Sequence, residues 1–154
     1  MSDSYELVII GGGAAAFAAA TKANHLGKSA LMINEGLPLG GTCVNVGCVP
    51  SKHLLAVGAE HYYGSRPRFE ANFNGHATTF DFKTAIEQKQ EVVTALRHKN
   101  YANVQESQEL VDLIEGRARF VSSKEVEVNG QLIAADRILI STGSSTRPID
   151  VEGL

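Results

Sequence analysis

Short apolar runs alternate along the chain with longer stretches in which apolar residues recur every three or four positions. Tyr5-Glu6-Leu7-Val8-Ile9-Ile10 is an apolar run that ends in glycine, the pattern of a buried parallel strand. The alanine-rich stretch around Phe17 predicts a helix to about Leu26, with Gly27 as its C-terminal stop. A second strand is predicted from Ser29 to Ile33. Ser51 to about Tyr63 reads as a helix with Leu54, Leu55, Val57 and Ala59 as apolar positions, and Tyr62-Tyr63 as packing at its end. Residues 64–79 read as a loop, with Pro67, Asn72, Asn74 and Gly75; a loop of that length suggests a surface excursion or a partner contact. Asp81 is a cap for a long helix reaching about Asn100, whose stripe is Phe82, Ala85, Ile86, Val92, Val93 and Leu96. Arg97-His98-Lys99 suits the negative end of that helix.

The texture changes near Leu110. Leu113 to Val121 and Glu125 to Val128 read as strands, Asn129-Gly130 as a hairpin turn, and Gln131 to Ala135 as the return strand. Arg137-Ile138-Leu139-Ile140 is a further buried strand, running into Ser141-Thr142-Gly143-Ser144. A strand that ends in Thr-Gly lies where an open α/β sheet takes its ligand. Pro148 to Leu154 reads as a linker.

The first strand is followed by Gly11-Gly12-Gly13-Ala14-Ala15-Ala16, which fits G-x-G-x-x-A. Gly11 would make the tight turn, Gly13 would let a pyrophosphate approach the backbone, and Ala16 would let helix and strand pack closely. The helix N–H groups of this stretch would face the phosphates. A lone glycine pattern is weak evidence, but this one lies between a predicted strand and a predicted helix, with a second strand after it. An acidic residue at the end of that second strand would bind ribose hydroxyls. Asn34 and Glu35 both stand there, and Glu35 is favoured for its two acceptor oxygens. The fold class is therefore α/β: a Rossmann-like dinucleotide-binding domain with a parallel sheet, plus a small antiparallel meander, as one unit over residues 1–154.

Composition excludes some functions. The net charge of -3 argues against nucleic acid as a partner. No apolar run reaches the roughly 18 residues of a membrane span, and the apolar start lacks the basic leader of a signal peptide. A cytoplasmic setting is expected, and a dithiol in a reducing compartment is more often catalytic than structural.

Both cysteines lie in Gly40-Gly41-Thr42-Cys43-Val44-Asn45-Val46-Gly47-Cys48-Val49-Pro50-Ser51-Lys52. Residues i and i+5 of a regular helix diverge too far for a disulfide, which needs Cα atoms within about 7 Å. Cys43 and Cys48 therefore pair only if the backbone breaks between them, and Gly47 and the residue before Pro50 favour such a break. Pro50 fits a first helical turn. Cys48 then lies near a helix N-terminus, where a thiolate is stabilised, and Lys52 adds positive charge about one turn on. A structural bridge of so few residues would constrain the unfolded chain weakly. A zinc site needs about four ligands, and His53 and His61 lack the usual spacing.

Residues Gly41 to Lys52 closely resemble the active-site signature of the pyridine nucleotide–disulfide oxidoreductases. Ile9 to Ala16 is similar to that family's FAD fingerprint, and Ile140 to Ser144 to its later FAD contact. Within the family, the alanine-rich Gly13-Ala14-Ala15-Ala16, Ser51, and Leu96-Arg97-His98 followed by Tyr101 resemble the mercuric reductase branch.

The resemblance implies FAD held by Gly11, Gly13, Ala14, Ala15, Ala16, Asn34 or Glu35, Gly41, Thr42, Lys52, Thr142 and Gly143, with NADPH as the electron source. It implies that Cys48 lies nearer the flavin, that Cys43 is the outer, exchanging thiol, and that Lys52 tunes the flavin. In the mercury branch Cys43 and Cys48 hold Hg(II) transiently before it is reduced to Hg(0), since a soft metal prefers soft thiolates. Other branches act on lipoamide or glutathione-like disulfides. The family's homodimer, NADPH-binding domain and dimerisation domain would involve residues beyond Leu154, so turnover by this chain alone is not expected. A non-catalytic FAD-binding or thiol metal-binding module is the alternative of a different class.

Overall fold

The computed structural model describes residues 4–66, 79–145, 147 and 149–153. Strand β1 (Ser4–Ile10) leads into helix α1 (Ala14–His25), which returns to β2 (Ala30–Asn34). A one-turn helix α2 (Gly41–Asn45) and the long α3 (Cys48–Ser65) follow. Helix α4 (Phe82–Arg97) continues through a π-helical turn (His98–Ala102) into α5 (Asn103–Glu106). The remaining strands are β3 (Val111–Glu115), β4 (Arg119–Phe120), β5 (Glu125–Val128) and β6 (Gln131–Ile140).

The six strands are ordered β3-β2-β1-β6-β5-β4. β3, β2, β1 and β6 are parallel neighbours, and β6, β5 and β4 are antiparallel neighbours. Two apolar clusters follow from the period-2 alternation of β1 and β2. Ile9, Ala30 and Met32 face α1, whose Ala16, Ala20 and Ala23 are buried at helical spacing. Their small side chains let the helix axis lie close to the strands. Val8, Leu31 and Ile33 point the other way and are covered by Val126, Val128 and Ile133 of the meander.

The structure corrects several element boundaries. Leu113 to Val121 is not one strand: β3 closes one edge of the sheet and β4 lies at the other. The break is at Gly116, whose N–H donates to the Asn34 carbonyl at 2.8 Å. A Cβ there would come within 2.6 Å of Asn129 Oδ1, so the chain passes tightly over the hairpin. Gln131 to Ala135 and Arg137 to Ile140 are one strand of 10 residues, pairing first with β5 and then with β1. The hairpin turn is as expected, with φ of 51° at Asn129 and 80° at Gly130. Helix α3 begins at Cys48 rather than Ser51 and includes Gly64. Most of the loop read at 64–79 lies outside the described residues. Tyr62 and Tyr63 stack edge to face at 5.3 Å, yet each stays more than half exposed. The chain does not stop being helical near Asn100, because Tyr101 packs edge-on against Phe17 of α1 at 4.9 Å and holds the π turn down.

Asp81 caps α4, accepting from the N–H groups of Lys83 at 3.0 Å and Thr84 at 3.4 Å. The Thr84 hydroxyl, at 2.6 Å from Oδ2, and the two backbone N–H groups hold the Asp81 carboxyl below the usual aspartate range. A depressed folded-state pKa means the cap's contribution is complete above the unfolded value and is lost as pH falls through the folded one. Asp81→Ala is expected to lower Tm at neutral pH. Thermal melts at decreasing pH should show the gap to wild type closing below the ordinary aspartate range.

Candidate functional site

Three strand ends converge on the glycine loop. The Gly11 N–H donates to the Ile33 carbonyl and the Ser141 N–H to the Ile10 carbonyl, each at 2.8 Å, so β1, β2 and β6 finish side by side. Gly11 has φ of 132°, and a Cβ there would overlap the Ser141 carbonyl oxygen. Only glycine suits that position. Gly13 differs. It is the N-cap of α1 with φ of -91°, and the nearest protein atom to a Cβ built on it is Gly41 Cα at 3.9 Å. Among the described residues, no packing demands glycine there. What Gly13 leaves free is the mouth of a cavity of about 590 Å³, bounded also by Gly41, Thr42, Thr142 and Gly143. The first-turn N–H groups of α1, including those of Ala14, Ala15 and Ala16, have no partner within the helix by helical geometry. An anion at this mouth would meet them. The bare Gly13 and the helix end together fit a dinucleotide pyrophosphate.

Asn34 and Glu35 both reach the cavity wall, with different freedom. Asn34 is buried, and its Nδ2 donates to the Leu37 carbonyl at 3.0 Å and to the Glu115 carboxylate at 3.0 and 3.2 Å. Its Oδ1 is packed over Gly12. Glu35 is exposed. Both amide hydrogens of Asn34 are thus engaged within the protein, whereas Glu35 presents its carboxylate to solvent at the cavity wall.

The dithiol turn is built against the same loop. Gly40 and Gly41 are both left-handed, with φ of 100° and 60°. The Gly40 N–H donates to the Gly12 carbonyl at 2.8 Å, and a Cβ on Gly41 would lie 2.9 Å from Gly13 Cα. Two adjacent glycines therefore let α2 start in backbone contact with the glycine loop. Cys43 sits within α2, and the helix is interrupted at Val46 and Gly47. Cys48 is the first residue of α3, with Pro50 in its first turn. The two cysteines thus occupy two helices with an irregular joint between them, the break their spacing requires. Both are exposed free thiols. The hydrogen bond between the two thiols, more than the partial burial of Cys43, pushes the Cys43 thiol above the ordinary cysteine range. Iodoacetamide reacts with the thiolate, so labelling of Cys43 should rise with pH through that elevated value. Cys48→Ala removes the main cause and should move the midpoint for Cys43 down. An unmoved midpoint would assign the shift to burial instead.

Lys52 is exposed on α3, one turn beyond Cys48. The cavity wall reaches Gly41 and Thr42, next to Cys43 in sequence, but does not include Cys43, Cys48 or Lys52 among its described residues. His53 Nε2 is buried and has no hydrogen-bond partner among the described residues, and the His61 and Phe80 ring centroids lie 5.1 Å apart. Among the described residues, no three His, Cys, Asp or Glu side chains gather as a metal site. No helix among them is long and apolar enough to cross a membrane.

The family model described as pyridine nucleotide-disulphide oxidoreductase matches residues 5–154. The chain belongs to the pyridine nucleotide-disulphide oxidoreductase family. Among relatives, it is 43% identical over 152 residues to a mercuric reductase of Lysinibacillus sphaericus, covering 99% of this chain and 27% of that protein. A mercuric reductase of Bacillus cereus is 40% identical over 150 residues, covering 97% of this chain and 23% of the relative. The chain thus spans about a quarter of the length of these curated relatives. Among solved structures, the HOCl-induced flavoprotein disulfide reductase RclA from Escherichia coli superposes with a TM-score of 0.78 at 31% identity. That match covers 97% of this chain and 30% of RclA.

Family membership gives the cavity and the dithiol turn a common context, since these oxidoreductases join a dinucleotide to a redox pair. The sequence reading missed one part of the wall, Gly116, Arg117 and Ala118 after β3. A signal for it existed: Leu113-Ile114-Glu115-Gly116 is a strand running into glycine, as Ile9-Ile10-Gly11 is.

Proposed function

We propose that this chain is the FAD-binding, dithiol-bearing part of an NADPH-dependent flavoprotein that reduces Hg(II) to Hg(0) in the cytoplasm. The observation that carries the reading is the contact of Gly40 and Gly41 with Gly12 and Gly13, which couples the nucleotide cradle to the cysteine pair. The mercury assignment draws on the likeness to mercuric reductases.

In this reading the α1 N-terminus and Gly13 hold the FAD pyrophosphate, and Glu35, beside Asn34, accepts from ribose hydroxyls. Gly41, Thr42, Thr142 and Gly143 line the path towards the isoalloxazine, and Lys52, outside the cavity wall on α3, supplies positive charge one turn beyond Cys48. When bound, FAD supplies the two-electron link between reduced pyridine nucleotide and the cysteine pair. Cys43 and Cys48 give up their two thiol protons and present two soft sulfurs to Hg(II), a soft cation. In this reading Cys43, on the short α2, is the outer sulfur that receives the metal from a solution thiol, and Cys48, at the start of α3, is the inner sulfur. A second reading, reduction of a small disulfide, is favoured by the likeness to RclA.

The test is an absorption spectrum of the purified chain after FAD addition and removal of the excess, followed by Hg(II) titration of the thiols. Retained flavin and one Hg(II) per cysteine pair are the expected results. Absence of flavin would count against the cradle. In a flavin-loaded longer protein, NADPH oxidation that responds to disulfides and not to Hg(II) would favour the second reading.

A further inference from the structure

Helix α4 and the π turn back the dithiol turn through two side chains one helical turn apart. Arg97 Nη1 donates to Asn45 Oδ1 at 3.3 Å. The Tyr101 ring lies against Gly40, where a Cβ would come within 3.0 Å of Cδ2. Asn45 ends α2 and stands between the two cysteines in sequence. Its Nδ2 donates to the carbonyls of Pro38 and Gly41 at 2.9 Å and of Leu39 at 3.3 Å. Those bonds tie the end of α2 back to the segment that enters it. The amide has a single oxygen, and Arg97 engages it. The side chain between the cysteines is therefore fixed from both ends, one of them 52 residues away in sequence.

We propose that Arg97 is a positioning residue for the Cys43–Cys48 pair, acting through Asn45. This rests on the reading of that pair as redox-active. A disulfide tolerates only a narrow range of Cα separation and torsion. Holding the end of α2 in place raises the effective concentration of one thiol for the other, as any pre-paid orientation does. Releasing Asn45 Oδ1 lets the joint at Val46-Gly47 relax and makes the closed form less favourable. In a glutathione buffer, closure transfers two electrons from the two thiols to one glutathione disulfide, which leaves as two glutathione thiols.

The test equilibrates the full chain in buffers of graded glutathione ratio and counts trapped thiols by mass. Arg97→Ala is expected to shift the dithiol–disulfide midpoint about tenfold towards the dithiol, the scale of one charge-assisted hydrogen bond. Asn45→Ala should shift it at least as far, and the double variant no further than Asn45→Ala alone. Arg97→Lys, which keeps a charged donor on a long stem, should recover part of the shift and serves if Arg97→Ala does not fold. A lowered Tm with an unmoved midpoint would mean that Arg97 only packs, and would overturn the proposal. Additive shifts would overturn the route through Asn45. A wild-type chain that stays dithiol in every buffer would overturn the redox reading itself, and the positioning role with it.

Discussion

Gly13→Val is expected to abolish FAD retention while leaving the fold in place. The backbone at Gly13 is ordinary for an L-residue, and among the described residues a Cβ there meets nothing closer than Gly41 Cα at 3.9 Å. Gly13 is the N-cap of α1, where glycine is preferred to valine, so the exchange costs α1 on the order of 1 kcal/mol, too little to unfold the chain. The added methyl groups enter the cavity where the α1 N–H groups converge, the one place a pyrophosphate must approach the backbone closely. Flavin absorbance per chain after gel filtration, with far-UV circular dichroism as the control for folding, checks this. Wild-type flavin content in Gly13→Val would sink the phosphate-loop assignment. The neighbouring glycines behave differently. Gly11→Ala forces a side chain onto φ of 132°, and Gly41→Ala onto φ of 60° with Gly13 Cα at 2.9 Å. Backbone strain alone costs about 1–3 kcal/mol at such positions. Those variants should lose the fold along with the flavin, and the contrast with Gly13 separates ligand space from protein space.

The strand–glycine–helix unit and the dithiol turn were legible in the sequence because local chemistry decides them. Gly11 permits its own turn, Gly47 its own break, and Pro50 its own helix start. What escaped the sequence is decided by contacts between residues far apart. The split of 113–121 into β3 and β4 depends on Gly116 meeting Asn34 and Asn129, neither of which is near it in the chain. The ten-residue β6 looked like two strands because its first half pairs with β5 and its second with β1, so the burial rhythm changes midway. The π turn and α5 persist because Tyr101 finds Phe17. The choice between Asn34 and Glu35 was open on spacing alone. Glu115, 81 residues on from Asn34, engages the asparagine amide and bears on that choice in a way no local pattern carries.

Cys43→Ser and Cys48→Ser should each eliminate the dithiol–disulfide couple completely, yet they should not be equivalent. Both residues are exposed, so stability should change by no more than about 0.5 kcal/mol in either variant. Oxidation should remove both titratable thiols from wild type and leave one in each variant, unless two chains cross-link. Hg(II) should be stripped from either variant by excess monothiol far more readily than from wild type, because a single sulfur forfeits the second soft ligand and the chelate. The difference between them follows from position. Cys43 is held protonated to higher pH by its hydrogen bond with Cys48. Cys48 opens α3, whereas Cys43 lies on the short α2. With FAD bound and the pair reduced, long-wavelength absorbance from a thiolate beside the flavin should vanish in Cys48→Ser and persist in Cys43→Ser. Single-turnover exchange with a small thiol should be lost first in Cys43→Ser. If the two variants exchange these phenotypes, Cys43 is the inner sulfur, and the approach of Thr42 to the cavity wall, rather than the start of α3, directs the electrons.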